Sequence, residues 1–269
     1  MKKVLLSIAC LALTAVMALA QEPTREQLEA AITPRTRMLI LCTPGNPSGA
    51  VYSRSELEEL AAVVLRHEDL YVLSDEVYEH ISYVGAPVSI ASLPGMQERT
   101  IVVNGVSKAY AMTGWRIGFA AGPGWIMDAC NMLQGQYTSG PSSISQKAAE
   151  AAWNGSQECV ERMRRSFEAR RDLIVSLLRE IPGLEVCEPE GAFYLFPRCT
   201  SYFGMHHGGR RIDSSTDLAM YLLEVGHVAT VGGDAFGLPG YFRLSYAVSG
   251  QSIVEAARRM KAALADLSF

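Results

Sequence analysis

Short apolar runs alternate with segments of helical periodicity along most of the sequence. Residues 36–42, 70–73 and 100–103 have the length and apolar content of buried strands. Ser53 and Glu56 form a capping-box pattern between the first two runs, and apolar residues follow them at helical spacing. Strand–helix–strand units with apolar strands predict an α/β fold, in which a mostly parallel sheet carries helices on both faces.

The rest of the chain predicts further elements and a second, smaller domain. The further predicted helices cover residues 25–32, 124–136, 142–153, 157–180, 215–224 and 252–267, and the further strands cover residues 116–121, 191–196 and 241–246. Residues 201–211 are predicted to form an exposed loop. We place a large domain at residues 21–165 and a smaller C-terminal α+β domain at residues 166–269, with the boundary along the long helix.

The N-terminal region has the layout of a secretory signal peptide. Two lysines precede an apolar run at residues 4–19, which ends in an A-x-A pattern at Ala20. We predict that residues 1–20 are a signal peptide, so that the protein is exported to the periplasm or secreted if the signal is used, and is cytoplasmic otherwise. A buried N-terminal helix is the alternative, and a lipid anchor on Cys10 is disfavoured because little apolar chain precedes it. No later segment is long and apolar enough to span a bilayer, so we expect no membrane association of the mature form.

Composition and charge exclude several classes of partner. The 269 residues carry a formal net charge of -4, and no basic run with interleaved aromatic residues is present, so a nucleic-acid partner is not indicated. The sequence contains 6 cysteines, none in a C-x-x-C pair and several with apolar neighbours. We therefore predict buried free thiols rather than disulfides, and no metal site.

Polar residues follow the first three predicted strands at their carboxyl ends. Asn46 comes after the first strand, Asp75 after the second and Lys108 after the third. Ligands of open parallel sheets bind at this end of the strands. The pattern therefore predicts one shared pocket.

Lys108 and Arg116 give the pocket a candidate chemistry. Lys108 closes the small-residue segment that contains Ser107, and Arg116 follows eight positions later. A lysine amine forms a Schiff base with an aldehyde, and an arginine fork binds a phosphate, to which the Ser107 hydroxyl would add a contact. Pyridoxal 5'-phosphate (PLP) is the cofactor that carries both groups. The alternatives are a surface lysine and an arginine in a solvent-exposed ion pair.

Four further residues fit the same cofactor or its substrate. Asp75 would pair with the protonated pyridine nitrogen, and Tyr78 would bond the phenolic oxygen, if a helical turn places both on one face. Asn46 would donate to that oxygen or to a substrate carboxylate, and Arg243, between apolar strand residues, would bind the α-carboxylate of the substrate. The alternatives are a helix cap for Asp75 and a core tyrosine for Tyr78. For Asn46 the alternative is a turn former, and for Arg243 it is an edge-strand arginine facing water.

These residues occur in patterns that closely resemble the class I/II aminotransferases, the PLP enzymes of fold type I. Residues 105–118 match [GS]-x-[GSTA]-K followed by G-x-R-x-G, and residues 46–49 match N-P-[TS]-G. Asp75 and Tyr78 match D-x-x-Y, and residues 243–245 match R-[LI]-S. The resemblance is closest to the aspartate/aromatic branch of the family.

The resemblance implies a role for each matching residue. Lys108 is then the Schiff-base lysine and later the general base of the proton shift, and Asp75 pairs with the pyridine nitrogen. Asn46 and Tyr78 bond the phenolic oxygen, and Arg116 holds the phosphate. The resemblance also implies that Arg243 binds the α-carboxylate, that an amino group passes from an amino acid to a 2-oxo acid, and that the protein is a homodimer.

The sequence departs from the family before the loop at residues 46–49. Family members carry more chain there, which supplies a glycine-rich phosphate loop, an aromatic residue on the pyridine ring and side-chain recognition groups. We therefore expect an N-terminally truncated version of the fold, with exposed apolar sheet faces, weaker cofactor contacts and impaired activity. Two alternatives remain open: a PLP-dependent lyase or decarboxylase on the same scaffold, and a non-catalytic remnant.

Overall fold

The structure is a computed structural model that describes residues 23–269, so the predicted signal peptide and Cys10 lie outside the described residues. The described residues divide into two compact units. The first unit comprises Pro23–Pro44 and Val51–Met163, and the second comprises Gly45–Ala50 and Arg164–Phe269. None of the described helices is long and apolar enough to cross a bilayer.

The first unit is built on a mixed four-stranded sheet. Its strands are Met38–Cys42 (β1), Tyr71–Asp75 (β2), Thr100–Gly105 (β3) and Gly118–Ala121 (β4). The order in the sheet is β1-β2-β3-β4, with β1, β2 and β3 parallel and β4 antiparallel to β3. Its helices are Arg25–Ala31 (α1), Arg54–Leu65 (α2), Gly124–Tyr137 (α3) and Ser143–Asn154 (α4). The predicted α/β class and the mostly parallel sheet are confirmed.

The second helix, α2, begins where the sequence predicts. The Ser53 hydroxyl accepts from the backbone N–H of Glu56, and the Glu56 carboxylate accepts from the backbone N–H of Ser53. A cap of this kind contributes about 1 kcal/mol. The apolar face of α2 belongs to a core cluster with residues of α1, β1 and β2, which include Leu28, Leu41 and Val72. The helix is therefore fixed both by its cap and by burial of its apolar face.

Both outer strands of this sheet expose apolar side chains. On β1, Met38 and Ile40 are 41% and 60% exposed. All four residues of β4 are exposed, and α3 has no buried residue. A cavity of about 460 Å³ lies between β4 and α4 and is lined in part by Phe119 and Trp153, whose rings meet edge to face. The sheet therefore has apolar surface at both edges within the described residues.

The second unit is an α+β assembly with a small antiparallel sheet. Its strands are Tyr194–Leu195 (β5), His206–His207 (β6), Arg210–Arg211 (β7), Val231–Gly232 (β8) and Phe242–Ser245 (β9), and its helices are Ser215–Glu224 (α6) and Gly250–Ala265 (α7). The long helix Glu158–Arg179 (α5) crosses the boundary between the units. The strand order is β5-β9-β8, so β9 is the middle strand.

Two predictions of local structure need correction. Residues 201–211 contain the β6–β7 hairpin rather than an open loop, because glycines at the turn let the chain reverse. Cys130 and Cys159 are exposed, since their helices turn those faces outward, and Cys199 is the buried thiol among the described cysteines. Burial raises the pKa of Cys199 to about 12, which makes it unreactive.

Candidate active site

The carboxyl ends of β2 and β3 bring three predicted site residues to one end of the sheet. Asp75 is the last residue of β2 and is in register with Val103 of β3. Lys108 follows three residues after β3 ends, and its Nζ lies 5.7 Å from the centroid of the Tyr78 ring. Asp75, Tyr78 and Lys108 therefore occupy one region of the first unit, as the strand-end pattern predicts.

Asp75 is a half-buried carboxylate without a cationic partner among the described residues. Its Oδ1 accepts a hydrogen bond from the backbone N–H of Val77 at 3.2 Å. The following residues form a hydrogen-bonded turn rather than a helix, so neither the predicted helical turn to Tyr78 nor the alternative of a helix cap is found. A carboxylate in this position is costly unless it is paired. The position therefore fits a cationic group, such as a protonated pyridine nitrogen.

Next to Asp75 lies a second, more deeply buried carboxyl group that the sequence analysis missed. The Glu76 side chain accepts hydrogen bonds from the hydroxyls of Ser74 at 2.9 Å and Ser89 at 2.6 Å. Burial raises the pKa of Glu76, although the two serine bonds act in the opposite direction. The available signal was an acidic pair directly after an apolar strand. Glu76 and its serine partners fix the turn that presents Asp75 and Tyr78.

A Glu76→Gln variant is expected to change how stability depends on pH. Because the pKa of Glu76 is raised on folding, its contribution is complete below the usual value of 4.5 and is lost as pH rises through the folded value. Glutamine keeps an acceptor for both serines but does not titrate. As the pH rises above 4.5, the parent chain should therefore lose stability relative to the variant. Urea unfolding between pH 4 and 8 measures this difference, and parallel pH profiles of the two chains would contradict it.

Two glycines bring the Lys108 and Arg116 segment to the same end of the sheet. Gly105 of β3 is paired with Gly118 of β4, and a Cβ on Gly105 would lie 2.9 Å from the Cα of Gly118. Residues 106–117 connect these two strands and contain both Lys108 and Arg116. Lys108 and Arg116 are therefore close in sequence because both lie in the connection between β3 and β4.

The contacts of Arg116 and Ser107 indicate their roles less clearly than the contacts of Lys108 do. Arg116 is exposed, has a left-handed backbone with a φ of 53°, and donates from Nη1 to the Thr113 carbonyl at 3.1 Å. It has no carboxylate partner within residues 23–269, so the alternative of a solvent-exposed ion pair is not found. The half-buried Ser107 side chain makes no hydrogen bond to another described residue. Both remain candidates for binding an anion.

Asn46 and Arg243 contact each other in the second unit. The Arg243 guanidinium donates from Nη1 to Oδ1 of Asn46 at 2.7 Å. Arg243 lies on β9, the middle strand of its sheet, so the alternative of an edge-strand arginine is excluded. The backbone carbonyl of Gly49 accepts hydrogen bonds from the N–H groups of Glu190 and Gly191, which fixes the loop that carries Asn46. An amide and a guanidinium side by side suit a carboxylate ligand.

The structure thus groups the predicted residues in two sets. Asp75, Tyr78 and Lys108, with the connection that carries Arg116, belong to the first unit, and Asn46 and Arg243 belong to the second. No cluster of three or more His, Cys, Asp or Glu side chains suited to a metal ion occurs in the described part of the chain.

Comparison with known proteins connects both sets to one family. The profile of the family "Aminotransferase class I and II" matches residues 15–260. The aspartate aminotransferase of Rhizobium meliloti (strain 1021) is 52% identical over 248 residues, which cover 91% of this chain and 60% of that protein. A bifunctional aspartate aminotransferase and glutamate/aspartate-prephenate aminotransferase of Petunia hybrida is 50% identical over 245 residues, which cover 89% of this chain and 51% of that protein.

Solved structures agree with the sequence relatives. The crystal structure of the aspartate aminotransferase from Rhizobium meliloti matches with a TM-score of 0.88 at 50% identity, over 92% of this chain and 62% of that one. An aromatic aminotransferase from Pyrococcus horikoshii OT3 matches with a TM-score of 0.84 at 41% identity, over 91% of this chain and 64% of that one. The chain thus spans about 60% of the length of the Rhizobium relative.

Proposed function

Because the chain belongs to the class I and II aminotransferase family, we propose that it takes part in PLP-dependent transfer of an amino group between an amino acid and a 2-oxo acid. The observation that carries this proposal is the half-buried Asp75 carboxylate, which has no cationic partner among the described residues and lies at the same sheet end as Lys108. A carboxylate of this kind fits a protonated pyridine, and an amine beside it fits an aldehyde. Unrelated surface residues would not give this combination.

The residues of the first unit would bind the cofactor. Lys108 would hold the aldehyde carbon, Asp75 the pyridine nitrogen and Tyr78 the phenolic oxygen, while Ser107 and Arg116 would hold the phosphate. When bound, PLP supplies an electron sink for negative charge at the substrate α-carbon. Once its amine is free, Lys108 would move the proton at that carbon, which is the work of a general base.

The residues of the second unit would bind the substrate. Arg243 would form a charge-assisted pair with the α-carboxylate, and Asn46, whose Oδ1 already accepts from Arg243, would offer its Nδ2 to the same ligand or to the phenolic oxygen. The names of the relatives favour aspartate and glutamate as amino donors. By the same analogy we propose a homodimer. Export through the predicted signal peptide is part of the proposal.

A PLP titration of the purified chain tests the function. We expect an absorbance band in the near-visible range that saturates with PLP and shifts when aspartate or glutamate is added. Restoration of the first spectrum by a 2-oxo acid would support amino transfer, whereas release of product without any 2-oxo acid would indicate a lyase or decarboxylase. Absence of a band at every PLP concentration would contradict the proposal and favour a non-catalytic remnant.

A further inference from the structure

Two aromatic rings contact the Arg243 guanidinium. Its central carbon lies 4.6 Å from the centroid of the Tyr194 ring and 4.8 Å from the centroid of the Phe236 ring. Both distances are within the range of cation–π contacts. We call Tyr194 and Phe236 the aromatic clamp. All three residues belong to the second unit.

The Phe236 side of the clamp is held by its own contacts. Phe236 ends the 3-10 turn Gly233–Phe236, whose Asp234 carboxylate accepts from the backbone N–H and the hydroxyl of Thr216 at 3.0 and 2.8 Å. The Phe236 ring also meets Phe196 edge to face, with centroids 5.9 Å apart. Because the turn is bonded to the start of α6 and the ring rests on a buried phenylalanine, Phe236 has little freedom to leave Arg243.

The Tyr194 side is equally fixed. Tyr194 lies on β5, is only 8% exposed, and is paired with Ser245 of β9. Since Arg243 lies on β9 as well, the ladder that joins β5 to β9 sets the distance between the Tyr194 ring and the guanidinium. The two halves of the clamp therefore come from different elements, and each is fixed by backbone hydrogen bonds near it.

The clamp limits how Arg243 can bind a ligand. The five N–H donors of a guanidinium lie in its plane, and rings near the group shield it from water without using any donor. One donor of Arg243 already bonds Asn46. An incoming carboxylate therefore meets donors that are oriented in advance and partly desolvated, so it binds with a smaller loss of side-chain entropy and a stronger charge-assisted bond.

We propose that Phe236 and Tyr194 are positioning residues that set the affinity of Arg243 for carboxylate ligands. This inference rests on the proposed function, because that proposal assigns the substrate carboxylate to Arg243. The clamp residues act through the guanidinium and need not touch the reacting atoms. Their removal should weaken carboxylate binding while leaving attachment of PLP to Lys108 unchanged.

The test measures binding of succinate, a dicarboxylate probe, to the PLP-saturated chain and to its Phe236→Leu variant. We expect the dissociation constant to rise about tenfold, as loss of a partly desolvated cation–π contact implies. Phe203→Leu, a matched change in the same unit outside the clamp, should leave the constant unchanged, and Phe236→Tyr should retain near-parental affinity. If Phe236→Leu fails to fold, Phe236→Met replaces it, because the flexible methionine side chain can adapt to the space left by the ring without presenting an aromatic face.

A second readout is independent of PLP and of activity. Ring currents of nearby aromatic side chains shift the NMR signal of a guanidinium Nε–H group, and the Arg243 signal is assigned by its loss in Arg243→Lys. Phe236→Leu should move this signal, and Phe203→Leu should not. An unmoved signal together with unchanged succinate binding in Phe236→Leu would overturn the clamp.

The same experiment separates the clamp from the function on which it rests. If Arg243→Lys also binds succinate like the parent chain, the assignment of the carboxylate to Arg243 is wrong. If Arg243→Lys loses binding and Phe236→Leu does not, the assignment stands and the clamp alone is refuted.

Discussion

Lys108→Ala is expected to lose the near-visible band with PLP and to retain no PLP after borohydride reduction and gel filtration. The amine of Lys108 is the proposed attachment point, and its Nζ lies beside the Tyr78 ring at the sheet end that carries Asp75. Alanine removes both the attachment and the proposed general base. Any measurable amino transfer should fall by at least about 100-fold, since a general base alone contributes this much or more. Absorbance spectra, intact-mass analysis and a coupled transfer assay measure the change.

A second lysine provides the matched control. Lys147 lies on α4, where its amine bonds the Glu150 carboxylate at 2.6 Å at an exposed site. Lys147→Ala should therefore keep the PLP band, because an exposed ion pair of this kind adds at most a small increment of stability. Equal PLP attachment in the Lys108→Ala and Lys147→Ala chains would show that the cofactor is held elsewhere or only adventitiously.

Arg243→Ala is expected to raise the KM for the amino acid, or the dissociation constant for succinate, by about 100-fold. Removing one partner of a buried or partly buried charge pair costs about 2–5 kcal/mol, and 2.8 kcal/mol corresponds to about 100-fold. In this chain the substitution also removes the guanidinium that Asn46 Oδ1 and the two clamp rings contact. Succinate titration and steady-state kinetics give the two constants.

The exposed Arg211 is the control for charge. Its Nε lies 2.9 Å from the Asp213 carboxylate in an exposed ion pair, and it has no assigned role. Arg211→Ala removes the same positive charge from the same unit but should change either constant less than twofold, because exposed charges are screened by solvent. A comparable loss in both variants would mean that overall charge, rather than the guanidinium on β9, governs binding.

The elements that the sequence predicts well are those with strong local signals. The Ser53 cap, the apolar face of α2 and the strands that end at Cys42 and Asp75 are fixed by residues close together in sequence. The position of Lys108 after β3 follows from the same strand pattern. Local propensity and burial agree in these segments, so the pattern and the fold agree as well.

The features that the sequence did not reveal depend on distant partners. The antiparallel direction of β4 has no local signal, since a strand of only 4 residues can pair in either direction. Phe236 and Tyr194 are separated from each other by 42 positions but meet at Arg243. The assignment of Gly45–Ala50 to the second unit also depends on tertiary contacts. Such contacts can be identified only once it is known which strands pair in each sheet.

The contact between Gly105 and Gly118 restricts how the surroundings of Lys108 can be altered. Added methyl groups at these positions would meet main-chain atoms, at 2.9 Å from the Cα of Gly118 for position 105 and at 2.9 Å from the Asn104 carbonyl oxygen for position 118. Main-chain atoms cannot move aside as a flexible side chain can. A larger residue at either position would therefore require β3 to shift relative to β4. A directed-evolution library aimed at new donors should therefore keep both glycines and diversify side chains farther along the connection.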